Sequence, residues 1–67
     1  MTAIVHTNGD TRTIPDIIDG SDRLEFDSAK NVYIFCIDCY ENTPRGNMSK
    51  NITIECPIPP FVEKLEN

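Results

Sequence analysis

Short runs of alternating hydrophobic and polar residues recur along this chain. Arg23-Leu24-Glu25-Phe26 and Asn51-Ile52-Thr53-Ile54-Glu55-Cys56 repeat with period two, as half-buried β-strands do. Val32-Tyr33-Ile34-Phe35-Cys36-Ile37 is instead a continuous β-branched and aromatic run, the pattern of a strand buried on both faces, so 32–40 is the expected central strand. Near the start, Asn8-Gly9 joins two short strands, because both residues accept the positive φ of a type I′ hairpin turn. That turn sets Thr7 opposite Asp10, Val5 opposite Arg12 and Ala3 opposite Ile14. Ala3, Val5 and Ile14 then share one face, with Ile4, His6, Thr11 and Thr13 on the other.

The central strand should pair with 51–56 across a polar loop containing Pro44 and Gly46. The register that gathers most apolar side chains sets Cys39 opposite Ile52, Ile37 opposite Ile54 and Phe35 opposite Cys56, leaving Cys36, Asp38, Thr53 and Glu55 on the far face. Residues 15–22 combine a proline start, the pair Ile17-Ile18 and Gly20, and predict one helical turn or a packed loop. Pro57-Ile58-Pro59-Pro60 ends strand pairing, and 57–67 reads as an extended Pro-rich segment with a C-terminal turn or tail packed through Phe61, Val62 and Leu65.

These elements predict a mainly β fold, a small antiparallel sheet or partly open barrel of about four to five strands with at most one or two short helical turns. Residues 1–67 form a single domain. At that length a lone core gives a thin stability margin, and a homo-oligomer would help to hide exposed sheet edges. An apolar fraction of 39% and a net charge of −5 fall outside the disorder signature.

Charge is unevenly spread. Residues 10–27 hold six acids (Asp10, Asp16, Asp19, Asp22, Glu25, Asp27) against Arg12 and Arg23, a net −4 of the chain's −5. Such a surface repels nucleic acid and anionic membrane and attracts a basic protein surface. No basic n-region, apolar h-region or membrane-length run is present, which places the chain in the cytoplasm as an expectation.

The chemistry-bearing motif is Cys36-Ile37-Asp38-Cys39 with Cys56 downstream and His6 as the only histidine. C-x-x-C spacing suits zinc or redox chemistry, but an extended 32–40 segment would point Cys36 and Cys39 to opposite faces. Core packing is the favoured role for the three thiols; zinc held by Cys36, Cys39, Cys56 and His6 is the alternative. A one-residue slip would bring Cys36 opposite Cys56 for a disulfide, at the cost of setting Ile54 opposite Asp38. With the sequons Asn47-Met48-Ser49 and Asn51-Ile52-Thr53, that slip would describe a secreted, glycosylated domain. Asp19-Gly20-Ser21-Asp22 lacks the earlier acids of a calcium loop, and a Cys-His-Asp set can be drawn only from unrelated parts of the chain. No P-loop, dinucleotide fingerprint or nucleophile elbow occurs.

The expected function is therefore a non-enzymatic protein-protein interaction module without a cofactor, an inhibitor or accessory protein that meets a basic partner through Asp16, Asp19, Asp22, Glu25 and Asp27. A sharper version has those carboxylates imitate nucleic-acid phosphates.

Overall fold

A computed structural model describes residues 1–66. The chain is all β: β1 (Thr2–His6), β2 (Thr11–Ile14), β3 (Arg23–Asp27), β4 (Val32–Thr43), β5 (Gly46–Cys56) and β6 (Phe61–Leu65). They form two three-stranded antiparallel sheets, β2-β1-β6 and β3-β4-β5. The strand count thus exceeds the expected four to five, chiefly because 61–65 is a strand. Val62 lies opposite Val5 and Phe61 opposite His6 on β1, so the amphipathic turn expected there gives way to sheet pairing. Its alternation is too short to separate turn from strand, and the free edge of β1 decides.

The two sheets face each other through one row each. Ala3, Val5 and Ile14 from the smaller sheet meet Phe35, Ile37 and Cys39 of β4, and all six are buried. Met1, Ile52, Ile54 and Val62 pack at the margins. The continuous apolar run in β4 had implied burial on both faces. Only its odd-numbered row is covered, and Ile34, Cys36 and Asp38 on the outer face are half-buried.

The first hairpin has the expected register, Ala3 opposite Ile14 and Val5 opposite Arg12, with Thr7 N donating to Asp10 O at 2.8 Å. Its turn differs from expectation, because Gly9 takes a positive φ of 86° and Asn8 does not. Type I′ needs positive φ at both central residues, so this turn is of another type. The β4–β5 register is displaced by two residues from the expected one: Phe35 faces Ile54, Ile37 faces Ile52 and Tyr33 faces Cys56. A shift of two preserves every face, so the apolar row survives. The hairpin turn sets the register. Only Pro44 and Arg45 separate Thr43 from Gly46, whose φ of 109° closes the turn, while Thr43 Oγ1 donates to Gly46 O and accepts from Arg45 N. The strands thus run on through the stretch expected to be loop.

Residues 15–22 are the packed loop, not the helical turn. Ile17 is buried and forms an isolated bridge with Cys39, Ile18 N donates to Asp38 O, and Tyr40 N donates to Asp16 O. Ser21 completes the attachment: its hydroxyl donates to Ile18 O at 2.6 Å and accepts from Asp38 N at 3.0 Å. The loop therefore continues the line of β3 along the same edge of β4.

Ile37 is fully buried at the centre of this contact. Ile37→Ala should cost about 3 kcal/mol, the size of a large-to-small core change, and so remove most of the stability a chain this small commands. Urea unfolding monitored by circular dichroism measures it.

Candidate functional site

Because the loop and β3 lie end to end on one side of β4, the acids of 10–27 other than Asp10 share one rim of the larger sheet. Asp16 sits at the loop start, exposed, with a φ of 56° that aspartate tolerates better than most residues. Asp19 and Asp22 follow in the turn. Glu25 and Asp27 project from the outer face of β3, opposite Ile34 and Val32.

The five candidates are not equally available. Lys64 Nζ lies 2.8 Å from Asp22 Oδ1 and 3.7 Å from Asp19 Oδ1, which ties the loop to β6. The hydrogen bond from Lys64 holds the Asp22 carboxyl below its ordinary range, and the same bond raises the Lys64 ammonium. Asp27 Oδ1 accepts from Ala29 N at 3.0 Å and Lys30 N at 3.3 Å, shaping the turn into β4. Asp22 and Asp27 thus serve the fold, while Asp16, Asp19 and Glu25 are exposed. The pattern of charges along the chain could not show this, because Lys64 stands 42 residues from Asp22.

The outer face of the larger sheet carries a polar ladder. Asn51 Nδ2 donates to Asp38 Oδ1 at 2.9 Å, Thr53 Oγ1 donates to Asn51 Oδ1 at 2.8 Å, and Lys30 Nζ pairs with Glu55 Oε1 at 3.1 Å. An open cleft of about 440 Å³ lies between the loop and the projecting β4–β5 hairpin, lined by Met1, Asp16, Ile17, Tyr40, Asn42 and Asn47.

The cysteines occupy two environments. Cys39 and Cys56 are buried on the inner face and Cys36 is half-buried on the outer face beside Thr53, with Sγ and Oγ1 at 3.7 Å. Strand parity separates Cys36 from Cys39 as expected. Core packing therefore describes two of the three thiols, and Cys36 stands outside the core. All three are free. His6 lies on the outer face of the smaller sheet, its Nε2 3.4 Å from Glu63 Oε2 and its ring against Phe61, so it does not meet the inward-facing thiols. Among the described residues no group of three or more His, Cys, Asp or Glu is placed to hold a metal. Burial raises the Cys56 thiol. Compared with protein families, curated proteins and solved structures, the chain matches none.

Two measurements follow from this geometry. In the folded protein a thiol reagent should label Cys36 rapidly and Cys39 and Cys56 only on unfolding, and denatured protein should titrate three thiols. Asp22→Asn should lower the melting temperature by a few degrees at neutral pH. Since the folded-state value of Asp22 lies below 3.8, its contribution is complete above that pH and is lost as the pH falls through the lowered value. The melting curves of the two proteins should therefore converge in strong acid.

Proposed function

We propose that this chain is a non-enzymatic protein-binding module, an inhibitor or accessory protein, that holds a partner with a basic surface against the acidic rim. The observation that carries this reading is the alignment of loop 15–22 with β3 along one edge of β4, which gathers acids scattered over a dozen residues of sequence into a single line. Asp16, Asp19 and Glu25 are the contact residues, since Asp22 and Asp27 are committed to the fold.

Size favours a surface over an enclosed site. A standard interface takes about 800 Å² from each partner, roughly a sixth of the 4674 Å² this molecule exposes. Opposed charge would set the encounter rate and the orientation, with an affinity that falls as salt rises. A cytoplasmic address goes with this reading, because reduced thiols suit a reducing compartment.

Capture from an extract of the source cells at low and high salt, with the wild type beside the triple variant Asp16→Asn, Asp19→Asn, Glu25→Gln, tests the proposal. Asparagine keeps the positive φ at position 16 accessible. The wild type should retain a basic protein at low salt and release it at high salt, and the variant should retain at least tenfold less. Equal recovery by both proteins would sink the reading.

A further inference from the structure

Two three-stranded sheets leave four edge strands, β2, β6, β3 and β5. Register assigns each edge residue to a face. Arg12 on β2 lies opposite Val5, Lys64 on β6 opposite Ala3, and Lys50 on β5 opposite Cys39, and all three of those neighbours are buried inward. Each of these edges therefore carries a cation in its core-facing row. An inward-pointing charge on an edge is a recurrent means of stopping another strand from adding there, because pairing would bury it.

β3 lacks this protection. Its core-facing row is Leu24 and Phe26, opposite Phe35 and Tyr33, and both remain about half exposed at 50% and 51%. Phe26 packs against Tyr33 with ring centroids 5.0 Å apart and the rings tilted by 59°, so the exposed side chains form a shelf beyond the reach of the smaller sheet. The main chain of β3 is also available. Asp38 and Tyr40 turn their backbone groups toward the loop, so the even-numbered residues of β4 face that edge. Ile34 and Cys36 then bond Glu25 and Arg23, and the backbone groups of Leu24 and Phe26 point away from the sheet.

The sequence of this edge is complementary to itself. Laid antiparallel about a two-fold axis at Glu25, Arg23-Leu24-Glu25-Phe26-Asp27 sets Arg23 opposite Asp27 of the second copy and Leu24 opposite its Phe26, each twice. Opposite charges and apolar pairs both favour cross-strand contact, and the two outward-facing backbone positions, 24 and 26, become the hydrogen-bonded pairs. Only Glu25 lies directly opposite its like, with Arg23 and Asp27 of the second copy on its two diagonals.

We propose that two copies of this chain pair through β3, joining their larger sheets into one continuous six-stranded sheet, with Leu24, Phe26 and Tyr33 of both copies packed across the seam. The seam is five residues long, so the dimer is small and exchanging rather than permanent. It brings the two acidic rims together at Glu25, which the seam shares with the partner-binding surface; Arg23→Glu and the exchange protection of Leu24 and Phe26, both read on the purified chain alone, test the dimer apart from that binding.

Sedimentation of the purified chain from micromolar to millimolar concentration, with reductant present to keep Cys36 from oxidising, should show the mass rising from 7.6 kDa toward twice that value. Arg23→Glu, which replaces a favourable pair by a repulsive one at two places, should raise the dimer Kd at least tenfold. Glu25→Thr, which removes the one like-charge contact, should lower it several-fold, an effect that misfolding could not imitate. At high concentration the amides of Leu24 and Phe26 should gain exchange protection, while those of Asn47, Ser49, Asn51, Thr53 and Glu55 on the β5 edge should not. A 7.6 kDa species throughout, a dimer that neither substitution changes, or protection on β5 in place of β3 would each overturn the proposal.

Discussion

The structure depends on covering one row of side chains, Phe35, Ile37 and Cys39 of β4, with strands that are much shorter than β4 itself. β4 and β5 run for 12 and 11 residues, whereas β1, β2 and β6 run for 5, 4 and 5. At about 3.4 Å per residue the smaller sheet spans less than half of the hairpin it covers. Its inward residues concentrate on the middle of β4, and both flanks are left over. On one flank Leu24, Phe26 and Tyr33 stay partly in water; on the other the β4–β5 hairpin projects with Tyr40 and Met48 exposed, giving the molecule its 38 Å long axis.

Loop 15–22 fills the gap that a longer third strand would have occupied. The backbone bonds Ile18 N to Asp38 O and Tyr40 N to Asp16 O, with the Ser21 hydroxyl accepting from Asp38 N, satisfy the edge of β4 at 38–40, and Ile17 N donates to the adjacent Met1 carbonyl. Buried backbone groups must find such partners. Ile17 supplies apolar cover at the same place. The arrangement crowds Asp16, Asp19 and Asp22 near the sheet, and Lys64 offsets part of that repulsion by bridging two of them.

What the sequence made legible tracks how local each determinant is. The first hairpin could be read down to its residue pairs, since a two-residue loop fixes register without help from the rest of the fold, even though Gly9 alone adopts the positive φ. The β4–β5 faces were legible and their register was not, because apolar matching is unchanged by a shift of two and the Pro44-Arg45 turn decides between the choices. β6 was missed, as five residues behind a proline run become a strand only when β1 offers a free edge. The acids were visible as a cluster in sequence, while their sharing of one rim, and the withdrawal of Asp22 and Asp27 into the fold, depends on contacts with β4, β6 and the 28–31 turn.

In a chain with so few inward positions, placing Arg12, Lys50 and Lys64 in core-facing rows sacrifices apolar cover that the hairpin lacks. Arg12 and Lys50 even line one cleft with Ile14, Cys39 and Ile52, where larger apolar side chains would have extended the core. That sacrifice makes physical sense as protection against edge pairing, which a small open sandwich risks on every side. The same logic makes the composition of β3 informative. Its inward row lies beyond the smaller sheet: Phe26 meets Tyr33 of the same copy, yet Leu24 and Phe26 each keep about half of their surface in water. A charged residue at either position would close the edge, and the presence of two large, half-exposed apolar side chains there is what sets β3 apart from the other three edges.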